Sequence, residues 1–199
     1  WRPESAGLYS DDATFRNSCA MTRIYLDHAA TTPLRPEARA AMRRGFELWA
    51  NPSSPHAEGR AARAAIEGAR ESVKAALKWE GDVIFTSGAS EAAALAFGGA
   101  QAGEFLVSAI EHESILKAAP GATVLPVGVN GALDLAVLER ELAAADNPLV
   151  AVQTINSETG ENQDFCAVSD LVAEAGGSYL IDASQSAGKY PFRYEADMV

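Results

Sequence analysis

From residue 21 onward, short apolar runs alternate with amphipathic stretches, and this alternation constrains the fold more than any other feature of the chain. Residues 24–26, 83–85, 105–107, 123–127, 149–153 and 179–181 read as strands. Between them lie segments with helical spacing. Pro36 opens one that runs to about Trp49, because proline's missing N–H is not needed in a first turn. A longer one covers 59–78, with Ala62, Ala65, Ile66, Ala69, Val73, Ala76 and Leu77 on one face, and it needs a partner surface. Shorter helices follow at 91–97 and 114–119, at 135–142 with Asp134 as cap, and at 168–175 closed by Gly176-Gly177. Strands alternating with helices imply βαβ crossovers. The expected architecture is an α/β three-layer sandwich with a mainly parallel sheet. The strand runs are continuously apolar, as they must be when both sheet faces are covered. In such folds ligands sit at the carboxyl ends of the strands.

Composition removes several function classes. The chain has 199 residues, 48% hydrophobic and 22% charged, with a formal net charge of −11. Nucleic acid is therefore not an expected partner, since phosphate binding needs clustered Lys and Arg. No apolar run is long enough to span a bilayer, and no basic start precedes an apolar core, so a cytoplasmic location is expected. Two cysteines, Cys19 and Cys166, cannot make a disulfide framework. His28, His56 and His112 are widely spaced, so no metal site is expected. Residues 1–20 lack periodic apolar positions and read as an irregular tail or an upstream extension; regular structure starts at Met21.

The residues after each strand carry the chemistry. After 83–85 come Thr86-Ser87-Gly88-Ala89-Ser90-Glu91 and then a helix. A glycine turn into a helix N-terminus offers free N–H groups to a phosphate, although Ser90 can equally be a plain cap. After 105–107, His112 stands between Glu111 and Glu113, either as an acid–base group or ring for stacking, or as a surface histidine. After 149–153, Asn156 and Ser157 can bond a ligand oxygen or simply make a turn. After 179–181, Asp182 ends a buried strand, where a carboxylate needs a cationic partner or a capping role.

Taken together these pieces are more specific. Tyr25-Leu26-Asp27-His28-Ala29-Ala30-Thr31-Thr32-Pro33 resembles the opening signature of the cysteine desulfurases, in the class V aminotransferase group. Asn51-Pro52-Ser53-Ser54-Pro55-His56 with Gly59-Arg60 is similar to their next landmark. Phe85 to Glu91, Glu111-His112, Asn156 to Gly160 and Asp182 to Ser186 follow in the family's order. The resemblance covers residues 21–199. It implies the large domain of pyridoxal 5'-phosphate (PLP) fold type I and a homodimer. It also implies removal of sulfur from L-cysteine to give L-alanine and an enzyme persulfide. That sulfur goes to iron–sulfur cluster or thio-cofactor synthesis, through a sulfur-acceptor scaffold protein. By this likeness Ala89 and Ser90 hold the phosphate, and His112 stacks on the pyridine ring and assists proton transfers. Asp182 pairs with the ring nitrogen, and Gln185 approaches the phenolic oxygen.

Two departures stand out. The family has Asn where this chain has Ser157; here Asn156 comes one residue earlier, and the shorter Ser reaches less far. The family's Schiff-base Lys, in a Ser-x-His-Lys segment, follows the stretch that resembles residues 196–199, and the nucleophilic Cys lies further on. Residues 21–199 therefore read as a partial large domain, truncated before that Lys and inactive alone. Lys189 sits outside the motif, and Cys166 reads as a small core residue. The alternatives are another class V PLP enzyme, such as a selenocysteine lyase or an aminotransferase-like enzyme, or a non-catalytic fragment that pairs with an intact subunit.

Overall fold

The structure is a computed structural model, and it describes residues 24–190 and 196–199. The tail at 1–20, with Cys19, and the start of regular structure at Met21 lie outside the described residues. The chain divides into two compact units, Trp1–Pro33 and Leu34–Val199.

In the first unit residues 24–26 form no strand. The backbone turns instead. The Tyr25 hydroxyl donates to the carbonyls of Asp27 and Thr31 at 2.8 and 3.0 Å, and Asp27 Oδ1 accepts the Ala30 N–H at 3.3 Å. The Tyr25 ring meets His28 edge-on, with 5.1 Å between centroids. With its backbone curled around one aromatic residue, this segment offers no ladder edge.

In the second unit, helices α1 (Pro36–Phe46), α2 (Ala57–Leu77) and α3 (Ala89–Gly99) precede the sheet. Then come β1 (Glu104–Ser108), α4 (Glu113–Ala118), β2 (Thr123–Leu125), α5 (Leu135–Ala144), β3 (Pro148–Gln153), α6 (Phe165–Glu174) and β4 (Ser178–Asp182). The strands lie in the order β2-β1-β3-β4, all paired in parallel. Alternate residues of each strand face opposite ways. Val150, Val152, Tyr179 and Ile181 pack with Leu138 and Leu142 of α5 and Val168 and Val172 of α6. Leu149, Ala151, Leu180 and Val107 pack on the other face with Ala93 and Phe97 of α3 and Ile115 of α4. This is the three-layer α/β sandwich that the alternation implies.

The connection leaving β1 carries α4 to one face, whereas the connection leaving β3 carries α6 to the other. The chain reverses direction across the sheet there, and a crevice opens at the carboxyl ends of β1 and β3.

Three further expectations need correction. Residues 83–85 form no strand. The Val83 carbonyl accepts from Arg70 Nε at 3.0 Å and the Asp82 carbonyl from Trp79 Nε1 at 3.1 Å, so side chains take acceptors that a ladder would use. Ile84 and Phe85 are exposed. Second, the expected strand 123–127 stops at Leu125, because Pro126 has no N–H to donate; Val127 instead bridges Leu133 in antiparallel fashion. Third, the apolar stripe of α2 is only partly covered. Ala62 is buried and Ile66, Val73 and Leu77 are half-buried, but Ala65, Ala69 and Ala76 are exposed.

The Asn-Pro-Ser-Ser landmark has a structural task. His56 caps α2 by accepting the Gly59 N–H at 3.2 Å, and Arg60 Nη1 donates to the Pro55 carbonyl. Gly59 must lack a side chain, since a Cβ there would lie 2.4 Å from the Ser54 carbonyl oxygen. No described helix is long and apolar enough to cross a membrane.

Candidate functional site

A cleft of about 370 Å³ opens at the carboxyl ends of β1, β3 and β4. Ala89, Ser90, His112, Ser157, Asp182 and Gln185 all line it. These residues are spread over almost a hundred positions of sequence, from Ala89 to Gln185, and the crossover topology gathers them.

One wall is the start of α3. Gly88 caps the helix without a side-chain hydrogen bond, and the N–H groups of Ala89 and Ser90 make none with the described residues. Glu91 reaches back so that its Oε2 accepts the Ser87 N–H at 2.6 Å, which holds its carboxyl below the usual range. A helix start with open donors suits an anion.

His112 caps α4. Its Nδ1 accepts the Ser114 N–H at 3.1 Å and lies 2.7 Å from the Ser114 hydroxyl. An N–H can only donate, so Nδ1 carries the lone pair, and in the neutral ring Nε2 carries the proton. The ring is exposed at the cleft.

Asp182 ends β4. Its Oδ1 accepts the Ser184 N–H at 2.9 Å, and its carbonyl accepts the Thr154 N–H at 3.0 Å. Thr154 Oγ1 also donates to Ser186 Oγ at 2.7 Å, tying the ends of β3 and β4 together. Gln185 Oε1 accepts from Lys189 Nζ at 2.9 Å.

Asn156, expected as a cofactor contact, does not line the cleft. Its Oδ1 accepts the N–H groups of Glu158 and Thr159, each at 2.9 Å, and its Nδ2 donates to the Ile110 carbonyl at 3.2 Å. Asn156 is thus committed to shaping its own loop. Ser157, next to it, takes the place on the wall. Cys166, read as a core residue, is exposed, because the buried stripe of α6 runs through Val168 and Val172 instead. Among the described residues no group of three or more His, Cys, Asp or Glu comes together to hold a metal ion.

Sequence reasoning passed over Glu111. It is buried, and its Oε1 accepts the Gln153 N–H at 2.8 Å. Burial pushes its carboxyl up to about 8; the Gln153 N–H opposes this and the charge of Asp182 adds to it. Its place before His112 was visible, but its burial was not. Polar Gln153 and Thr154 at the end of an otherwise apolar strand were a signal that something polar awaited them.

The Aminotransferase class-V family matches residues 24–198. A cysteine desulfurase of Frankia sp. is 37% identical over 195 residues, covering 86% of this chain and 46% of the relative. A solved NifS-like protein from Rickettsia africae superposes with a TM-score of 0.77 at 32% identity, covering 85% of this chain and 50% of that one. A structure described as SspA in complex with cysteine gives a TM-score of 0.71 at 28% identity, covering 81% of this chain and 51% of that one. The chain spans about half the length of the curated relatives it matches.

Proposed function

Since this chain belongs to the aminotransferase class-V family, we propose that its cleft is the PLP site of a cysteine desulfurase, which converts L-cysteine to L-alanine and an enzyme persulfide. The observation that carries the reading is the convergence of open α3 N–H groups, the His112 ring and the Asp182 carboxylate in one cleft.

The residues fit the group chemically. A phosphate needs several donors, and the N–H groups of Ala89 and Ser90 with the Ser90 hydroxyl supply them at the positive end of a helix. A half-buried carboxylate is stabilised by a cationic partner, and a protonated pyridine nitrogen offers one to Asp182. When bound, PLP supplies an electron sink for the carbanion formed at the amino-acid Cα. His112 presents a flat ring with a defined tautomer, suited to stacking and to giving or taking a proton at Nε2. Gln185 and Ser157 supply polar contacts to a ring oxygen, with Ser157 standing where the family has Asn.

L-cysteine as substrate is supported by the names of the relatives and by the solved complex with cysteine. A homodimer, a sulfur-acceptor scaffold protein and a cytoplasmic site of action complete the reading. The test is equilibrium binding of pyridoxine phosphate, which has no aldehyde and so ignores surface lysines. Saturable binding that weakens about tenfold or more in Asp182→Ala supports the site, as loss of a charged contact should. Absence of saturable binding by the unaltered chain rejects it. Formation of L-alanine from L-cysteine by the product of the whole reading frame, with PLP and reductant, tests the reaction.

A further inference from the structure

The proposed function leaves Glu111 without a task. The residue is only 6% exposed, which is unusual for a carboxyl with no cationic partner among the described residues. Its Oε1 accepts the Gln153 N–H at 2.8 Å. The Gln153 side-chain amide donates back to the Ile110 carbonyl, and Asn156 Nδ2 donates to the same carbonyl at 3.2 Å. These three bonds clamp residues 110 and 111 onto the end of β3, and the next residue is His112. Oε2 of Glu111 is buried without a hydrogen-bond partner among the described residues.

We propose that Glu111 is a positioning residue: its buried side chain, anchored on Gln153, fixes where the His112 ring stands at the cleft. The consequence for cofactor affinity rests on the reading of the cleft as a PLP site; the placement of His112 does not.

The chemistry around Glu111 agrees with the geometry. The titratable groups that bear on it are Asp182 and Tyr179, both from β4, while β3 presents uncharged Gln153. Tyr179 Oη is likewise buried without a partner among the described residues. Burial, then the charges of Glu111 and Cys166, raise its phenol above the usual range. Among the described residues no cation bears on Glu111 to offset a second carboxylate beside Asp182, so Glu111 holds its proton up to about pH 8. That proton sits on Oε2, because Oε1 faces an N–H. A neutral acid can hold the loop without adding charge next to Asp182.

Ring-nitrogen NMR of the 199-residue chain tests this, since only three histidines need assigning. In the unaltered protein the His112 ring resonances should show a step near about pH 8, as Glu111 ionises. Glu111→Gln keeps the acceptor and the shape. It should preserve the tautomer pattern of the ring and abolish that step. Glu111→Ala removes the bond to Gln153, one of the three that hold this segment, and should shift and broaden the His112 ring resonances as the ring loses its fixed place. Pyridoxine phosphate should bind about tenfold more weakly to Glu111→Ala and within about twofold of normal to Glu111→Gln. A step near about pH 8 that survives in Glu111→Gln overturns the proposal, as does an unchanged ring pattern in Glu111→Ala. Should the alanine variant fail to fold, the pH profile of the glutamine variant decides. Should pyridoxine phosphate fail to bind the unaltered chain, the PLP reading falls while the ring measurements still judge Glu111.

Discussion

Replacing Glu111 with glutamine should change how the stability of the protein depends on pH. The native carboxyl is raised from 4.5 to about 8. The native state therefore holds a proton that the unfolded chain has already lost, throughout that window. The sign follows: stability contributed by the protonated form is fully present below pH 4.5 and is lost as pH rises to about 8. At about 1.4 kcal/mol per pH unit, the whole window corresponds to about 5 kcal/mol. A carboxamide cannot titrate, so the Glu111→Gln variant lacks this slope. The exposed carboxyls of Glu91 and Glu113 are shifted the other way, by hydrogen bonds from Ser87 and Lys117, so their contribution is lost only as pH falls below 4.5. Urea unfolding at several pH values, read as the difference between the two proteins, is the assay. The difference should move by roughly 1.4 kcal/mol per pH unit in favour of the variant as pH rises. Parallel stability curves across the window would refute a buried, proton-holding Glu111.

Other perturbations test the local framework. Gly59→Ala should destabilise the protein by about 1–3 kcal/mol in chemical denaturation, because its Cβ would meet the Ser54 carbonyl oxygen at 2.4 Å. Full stability in this variant would show that the turn before α2 yields easily. Asn156→Ala should speed hydrogen exchange at the Glu158 and Thr159 amides and reduce stability by about 1–3 kcal/mol, since it strips the acceptor from both. Unchanged exchange there would contradict the loop role assigned to Asn156. Phe46, Trp49, Ile84 and Phe85 expose large apolar surfaces, so the chain should self-associate with rising concentration in sedimentation. A monodisperse monomer would contradict this.

The sheet was legible because a strand buried on both faces leaves a continuous apolar run, as in Leu149-Val150-Ala151-Val152. Helix starts were legible where a cap is local: Asp134 accepts from Ala136 and Val137 as its position suggested. Residues 83–85 misled because a strand also needs a neighbour with free backbone groups, and Arg70 and Trp79 occupy acceptors there. The same limit applies at the site. The strand-end rule pointed to His112, Ser157 and Asp182, which line one cleft; Ala89 and Ser90 line it too although no strand precedes them, and Gln185 was singled out only through the family resemblance. Local sequence did not separate Ser157, on the wall, from Asn156, turned into its loop. Nor did it reveal Glu111, whose role depends on a backbone N–H 42 positions away.

The most direct measurement is a crystal structure of the chain with pyridoxine phosphate. The phosphate should lie on the Ala89 and Ser90 amides, the pyridine nitrogen against the Asp182 carboxylate and the imidazole of His112 over the ring. A ligand seated elsewhere, or one that leaves Asp182 and His112 untouched, would contradict this placement.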